Sequence, residues 1–541
     1  MSEQASAFTG KIARSAGTVS SAVMCSRVLG LIREQVFAGM FGAGFAFDAF
    51  VVAFRIPNLL RDLFGEGALS AAFVTVFTDY DTKRGARATW ELASTVLTFF
   101  AIFLSVVTLA GMYLAAPLVN LLAPDFQLIA GKTALTAQLT RIMFPFLVFI
   151  ALAAVVMGIL NTRGRFFIPA MASSFFNLGS IVGGVSLALL FSRLGQPAIA
   201  GMAWGTLVGG LLQLAVQLPA LKREGFTFTP RLNLRDPGLK RILLLMLPAT
   251  VGLSATQINI FVNTNFAASC VQGSVSWLNY AFRLVQLPIG IFGVAFSIAV
   301  MPVLGRQAAT RDLTGLRQTF NSSLIMVLSL TIPATAGLVL LAAPIIRLIF
   351  EHGAFTSVDT ARTAEALSYY ALGLFAYSAV KVMVPVFYAL NSTRYPVMGS
   401  FLAVAANILF IVLTIGPFQH RAIALATSCS MTLNFLFLGL ILSRKLEGFT
   451  LRPLLLGGGK IVLATLVMAA AVWGLAKWLA PWLHGALLPQ LAGVLGIIGT
   501  AGVVYYLTLL ALKLPELTVI TAKIVQRRRR PKGRGQGTED R

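Results

Sequence analysis

Of 541 residues, 57% are hydrophobic and only 11% charged, and the mean hydropathy is +0.83. An ordinary soluble domain carries about 25% charged residues and a disordered chain is poor in apolar ones, so both classes are excluded. Lys and Arg outnumber Asp and Glu by 43 to 19, a formal charge of +24. Spread between long uncharged runs, that excess reads as basic loops on one side of a membrane rather than as a nucleic-acid surface.

A spanning helix needs about 20 mostly apolar residues. The first eleven residues are polar and no small-residue cleavage site closes an apolar core behind them, so an uncleaved first span is expected. Runs bounded by charges or turn residues then predict an all-α polytopic protein with about fourteen spans. The first two, 12–32 and 45–69, are the least apolar. They are followed by 93–122, 139–160, 167–191 and 199–221, a basic loop at 222–241, and spans at 242–267 and 275–304 divided by the polar patch 269–274. The remainder lie at 322–346, 364–390, 395–415, 422–442, 460–479 and 488–512, before a polar basic tail in which Arg527 to Arg530 are consecutive.

Orientation follows from Lys and Arg in short loops. With an even number of spans, one side collects Lys83, Arg84, Arg87, Arg163, Arg165, Lys222, Arg223, Arg231, Arg235, Lys240, Arg241, Arg306, Arg311, Arg317, Arg394, Arg444, Lys445, Arg452 and Lys460. The other side and its span ends hold little beyond Arg33, Lys132, Arg141, Arg193, Arg347, Arg362, Arg421 and Lys477. Both termini are therefore expected in the cytoplasm. Cys25, Cys270 and Cys429 form no disulfide framework, and His352, His420 and His484 are too scattered for a metal cluster, so neither metal nor cofactor is expected. Gly457-Gly458-Gly459-Lys460 lacks P-loop spacing and is followed by Ile461 rather than Ser or Thr, so no ATP engine is expected.

The chain repeats itself. Ala53-Phe54-Arg55 recurs as Ala281-Phe282-Arg283, and Leu63-Phe64-Gly65 as Ile291-Phe292-Gly293, both 228 residues apart. Glu224-Gly225-Phe226-Thr227 recurs as Glu447-Gly448-Phe449-Thr450, with Pro230 and Pro453 after them, 223 apart. Each copy holds six spans, an even number, so the copies run parallel about an axis along the membrane normal, as in two-lobed transporters. The expected organisation is a six-helix lobe over 1–222, a cytoplasmic linker at 223–241, a second six-helix lobe at 242–446, two additional helices within 447–515 and a basic cytoplasmic tail at 516–541. Two lobes about such an axis enclose a central cleft suited to alternating access, whereas a channel would show a filter-like loop.

Span one carries Arg27, with Arg33 and Glu34 at its outer end; span two carries Asp48, Arg55, Arg61, Asp62 and Glu66; the second lobe adds Arg283 and Lys381 but no carboxylate inside its spans. Each charge facing lipid would cost at least about 2.5–3.5 kcal/mol, so the set must meet water, partner charges or substrate. Asp48, Arg55 and Asp62 repeat at seven residues and share a helix face, as do Asp62 and Glu66 at four, so some pairing among them is expected. The cationic surplus favours an anionic ligand, and arginine grips phosphate oxygens bidentately.

These residues also carry a resemblance. Ser26-Arg27-Val28-Leu29-Gly30 with Arg33, Phe41-Gly42-Ala43-Gly44 before Asp48-Ala49-Phe50, Arg55-Ile56-Pro57-Asn58-Leu59-Leu60-Arg61, Glu66-Gly67-Ala68-Leu69-Ser70, Gly273-Ser274-Val275-Ser276-Trp277 and Arg283-Leu284 resemble the MurJ/MviN family of lipid II flippases, in the multidrug/oligosaccharidyl-lipid/polysaccharide exporter superfamily. The likeness runs over nearly the whole chain, the two added spans included. It implies flipping of lipid II, the polyprenyl-pyrophosphate-linked peptidoglycan precursor, from the cytoplasmic to the periplasmic leaflet of the bacterial inner membrane. Membrane lipids and cell-wall synthesis proteins are the expected partners, with no nucleic acid, and the protein is expected to be a monomer and a transporter rather than an enzyme. The family's functional residues carry over as Ser26, Arg27, Arg33, Asp48, Arg61, Glu66, Ser276 and Arg283. In this reading Arg27, Arg33, Arg61, Arg283, Ser26 and Ser276 receive the substrate, with Arg27, Arg61 and Arg283 on its pyrophosphate. Asp48 and Glu66 orient those arginines or close a gate, Pro57 kinks span two, and Gly42 and Gly44 bend as the gate moves. The polyprenyl tail would lie in a groove lined by the two added spans. Phe282 stands where some members have Asp, and sodium binding draws no support from second-lobe spans that lack a carboxylate. The alternative is a flippase for another polyprenyl-pyrophosphate saccharide, such as an O-antigen or capsule unit.

Overall fold

A computed structural model describes residues 2–66, 68–446 and 452–514, and among these the ordered elements are all helical. The tail at 516–541 and the second Glu-Gly-Phe-Thr string at 447–450 lie outside the described residues, as does the side chain of Glu66. Chain contacts group into two compact units.

The first unit comprises Met1–Tyr280, Ile349–Thr360 and Ile415–Ile423. Its helices are α1 (Ser2–Phe41), α2 (Phe45–Arg61), α3 (Ala68–Lys83), α4 (Gly85–Tyr113), α5 (Ala115–Leu122), α6 (Lys132–Met143), α7 (Phe146–Thr162), α8 (Phe167–Arg193), α9 (Ala198–Ala215), α10 (Leu218–Arg223), α11 (Pro237–Ala268) and the start of α12 (Ser274–Pro288). One of its apolar cores gathers Phe73, Phe77, Leu92, Val96, Phe100, Val155 and Ile159 from α3, α4 and α7. Asp236 caps α11 by accepting from the Gly238 and Leu239 amides at 2.8 and 3.1 Å.

The second unit comprises Ala281–Leu348, Ala361–Thr414 and the chain from Ala424. It holds the rest of α12, α13 (Ala295–Ala309), α14 (Leu313–Leu340), α15 (Ala342–Phe350), α16 (Ser357–Ala371), α17 (Leu374–Ala389), α18 (Arg394–Phe418), α19 (His420–Lys445), α20 (Arg452–Trp478), α21 (Ala480–Leu483) and α22 (Leu487–Ala511); the last turn of α15, the first of α16 and the junction of α18 with α19 count with the first unit. Leu316, Phe320, Met383, Phe387, Leu438 and Leu442 form the core of α14, α17 and α19. The two added spans, α20 and α22, pack on each other and on α14 through Ile325, Ile461, Ala464 and Leu509, and the Tyr505 hydroxyl donates to the Ser329 carbonyl at 2.7 Å.

Ten described helices are long and apolar enough to cross a membrane, and up to twelve if two bent pairs (Pro237–Pro248 with Thr250–Ala268, and Ser357–Ala371 with Leu374–Ala389) each count once. The expected fourteen is not reached by this measure. The two spans outside it are the first two: α2, at 17 residues, is too short by itself, and α1 and α2 carry Arg27, Arg33, Glu34, Asp48, Arg55 and Arg61. Span two is also longer than expected: after α2 the chain makes a π turn at Asp62–Glu66 and continues as α3 to Lys83. Pro57 lies inside α2 without ending it, and the irregularity comes at the π turn. A second π turn follows Pro288, at Ile289–Val294. Residues 62–66 advanced by the 228-residue repeat fall on 290–294, so the repeat read in the sequence is also written in the backbone.

Helices α8 and α9 meet through small residues, which let backbones approach closely. A Cβ at Gly205 would run into the Gly184 backbone, one at Gly201 into Ala188, and one at Gly209 into the Phe176 carbonyl. Gly205→Leu is expected to lose at least about 1–3 kcal/mol by overpacking and to lower the melting temperature in detergent. Gly499→Leu, where a Cβ meets open space, is expected to leave that temperature nearly unchanged.

Candidate functional site

The first unit brings the C-terminal end of α1, the first turns of α2, α6 and α12, and the segment 349–360 to one place. The end of α1 is shaped by Gly42, whose φ of +61° is left-handed and whose Cβ, if it had one, would strike the Ala354 carbonyl. Gly44, extended, starts α2. The Ala354 amide donates to the Gly39 carbonyl at 2.8 Å, and the Tyr280 hydroxyl to the Gly42 carbonyl at 3.2 Å.

Asp48, in the first turn of α2, is 1% exposed, as is Lys132, the first residue of α6. Oδ2 of Asp48 accepts from Lys132 Nζ at 3.0 Å and from the Gly273 amide at 2.8 Å. Oδ1 accepts from the Ser276 amide at 3.0 Å and the Ser276 hydroxyl at 2.5 Å. One carboxylate thus takes four donors, three of them from the N-terminal end of α12, where the helix dipole favours an anion. Lys132 Nζ also stands 4.2 Å from the centre of the Phe126 ring. Burying two charges is tolerable only when they are paired and hydrogen-bonded; Asp48 meets this with four donors, and Lys132 with the carboxylate and the Phe126 ring. One residue further along α12, the Trp277 indole donates to Asp359 Oδ1 at 2.9 Å, while Asp359 Oδ2 takes the Thr356 amide and hydroxyl at 2.9 Å each. His420 meets the Trp277 ring edge-on at 5.2 Å.

The expected substrate residues divide. Ser276 is fully buried and spends its hydroxyl on Asp48, so it belongs to this clamp rather than to an open surface. Asp48 in turn pairs with no arginine among the described residues; its partners there are a lysine and a helix end. Arg33 pairs with Glu34 at 3.0 Å and lies over the Phe176 ring at 5.3 Å. Arg61 holds Asp62 Oδ1 through Nε and Nη2 at 3.0 and 2.7 Å, with Gln257 on Oδ2 at 3.3 Å. The Ser26 carbonyl accepts from Asn177 Nδ2 at 3.1 Å, which ties α1 to α8. Arg27 is half-buried and makes no ion pair among the described residues. Arg283, half-buried on α12, belongs to the second unit, as does the exposed Lys381.

The sequence reading places Lys132 only among the few cations of the outer side and its span ends, with no role. Its partner lies 84 residues away, so no local spacing reveals the pair; the available signal was a buried acid on span two and few cations on that side of the sequence. At the opposite, basic end, acids pin the loops: Asp79 pairs with Lys83 and Arg241, both at 2.6 Å, Asp81 with Arg163 at 2.9 Å and Glu224 with Arg165 at 2.7 Å.

The family described as "Lipid II flippase MurJ" matches residues 37–493. The chain belongs to the MurJ family. A probable lipid II flippase MurJ of Vibrio cholerae serotype O1 is 34% identical over 517 residues, covering 93% of this chain and 96% of that one. A lipid II flippase MurJ of Burkholderia cenocepacia is 36% identical over 432 residues, covering 78% and 82%. Among solved structures, a lipid II flippase MurJ in an inward closed conformation superposes with a TM-score of 0.75 at 27% identity, over 94% of this chain and 99% of that one. An inward-facing multidrug MATE transporter reaches 0.65 at 16% identity over 80% of this chain and 98% of its own, a likeness of fold alone. The MurJ assignment gives an all-helical, multi-span membrane protein of the flippase class.

Proposed function

We propose that this chain moves lipid II from the cytoplasmic to the periplasmic leaflet by alternating access, as part of peptidoglycan synthesis. What carries the reading is the likeness to lipid II flippases over 93% of the chain, with the family match at 37–493 spanning the Asp48 clamp and the arginines of α2 and α12. Arg27, Arg61 and Arg283 take the pyrophosphate, where a planar fork matches two oxygens at once. Arg27 is the most available of the three, being already half out of water and without an ion pair to break among the described residues. Both termini lie in the cytoplasm, which places the Asp48–Lys132–Ser276 clamp on the periplasmic side as an outer gate. The protein works as a monomer in the bacterial inner membrane, alongside the enzymes that make and use lipid II.

Membrane potential supplies work in the right direction. Each negative charge carried outward gains about 2.3 kcal/mol per 100 mV, and the gain shrinks to the extent that arginines neutralise the pyrophosphate in transit.

The test is reconstitution of the full chain in proteoliposomes loaded with lipid II or with an O-antigen unit on the same polyprenyl pyrophosphate. Headgroup exposure is followed with an impermeant reagent under an imposed potential. Lipid II is expected to cross and the O-antigen unit to stay. Equal transport of both, or of neither, would overturn the lipid II assignment.

A further inference from the structure

Asp48 and Ser276 are 228 residues apart, the offset that relates the two copies of the repeat. They are therefore equivalent positions, one in each copy, and their hydrogen bonds join copy to copy. Lys132 and Asp48 belong to the same copy, on α6 and α2. The four bonds on this carboxylate are thus of two kinds. Three of them, from the Gly273 amide, the Ser276 amide and the Ser276 hydroxyl, cross between copies; the fourth, from Lys132, stays within one. The second copy places a related contact with donor and acceptor helices exchanged: the neutral indole of Trp277 at the start of α12 donates to Asp359 at the start of α16.

We propose that Lys132 is a positioning residue of the outer gate, the permanent counter-ion that keeps Asp48 an anion and aims it at the α12 N-terminus. Asp48 and Lys132 move together, and the gate opens by releasing Gly273 and Ser276 while the ion pair stays whole. This rests on the flippase reading, because it takes the clamp as a gate that must open. When copies rock as bodies, bonds inside a copy persist and bonds between copies break. Without Lys132 the closed gate would bury an anion balanced only by a helix end, whereas the open gate would let water solvate it. Removing the lysine therefore favours the open gate. A neutral residue at 48 removes the charge that needs balancing.

Ser274 offers a readout inside the gate. It is fully buried beside Gly273, and its hydroxyl has no hydrogen-bond partner among the described residues, so Ser274→Cys is a mild change. In a full-length background with Cys25, Cys270 and Cys429 replaced by Ser, an impermeant maleimide added from outside reads gate opening at position 274. Lys132→Met is expected to raise the labelling rate at least fivefold, Lys132→Arg to hold it within twofold of the parent, and Lys132→Met with Asp48→Asn to fall below Lys132→Met alone. If Lys132→Met does not accumulate in the membrane, Lys132→Gln takes its place in the same comparison. Parental labelling in the Met or Gln variant would overturn the proposal, and so would a double variant labelled as fast as the single one. The labelling needs no lipid II, so its failure is separate from a failure of the parent to transport lipid II, which would sink the function and leave the gate geometry standing.

Discussion

Asp48→Ala is expected to abolish lipid II transport and to lower the melting temperature of the purified protein. The substitution removes the acceptor of four hydrogen bonds at once. Lys132, 1% exposed, is left as a buried cation without its counter-ion, and truncating one member of a buried pair typically costs about 3–5 kcal/mol. The first turn of α12 also loses its carboxylate cap. Asp48→Asn keeps the shape and one acceptor oxygen, but it turns an amide NH2 either to Ser276 or to Lys132 and Gly273, each of them a donor. It is therefore expected to lose most transport with a smaller drop in melting temperature than Asp48→Ala. Asp48→Glu keeps the charge but adds a methylene to a site that is 1% exposed, and is expected to fall between the two. The measurements are headgroup exposure of lipid II in proteoliposomes and thermal unfolding in detergent. Wild-type transport by Asp48→Ala with an unchanged melting temperature would remove Asp48 from the gate.

Most of the helices were legible because a hydrophobic run of spanning length has no other stable home. Runs such as 167–191 and 488–512 became α8 and α22 nearly as bounded. The first two spans were harder, since their charges lower the very signal used to find them. There the repeat helped: the strings around Arg55 and Arg283 carried over to matching π turns. What the sequence concealed was partnership. Helical spacing on α2 suggested pairing along one face, yet Asp62 bonds its neighbour Arg61 and Asp48 bonds α6 and α12. Spacing reports which side chains share a face, not what another helix brings to that face. Ser276 was singled out by family likeness as a substrate contact, and its burial against Asp48 reassigns it to the clamp.

The arginines divide by what already holds them, and their variants are expected to divide in the same way. Arg27→Ala is expected to reach normal membrane levels and to lose lipid II transport. Arg27 is half-buried on α1, and no ion pair among the described residues depends on it, so its removal strands no partner. Hydrogen bonds to a charged group are worth about 1.5–3 kcal/mol, which is roughly ten- to hundredfold in apparent affinity for the pyrophosphate. Arg27→Lys restores charge without the fork and is expected to recover only part of that loss. Arg33→Ala should behave differently. Its guanidinium is bonded to Glu34, whose side chain is 4% exposed, and rests on Phe176, so removal takes a cationic partner from a buried anion and unseats a ring. Its expected signature is a lower melting temperature and lower abundance, with transport per molecule reduced less than in Arg27→Ala. Transport per molecule and thermal unfolding, measured side by side for Arg27→Ala, Arg27→Lys and Arg33→Ala, decide the matter. If Arg27→Ala transports normally while Arg33→Ala does not, substrate recognition lies with the paired arginine and the assignment of Arg27 to the pyrophosphate fails.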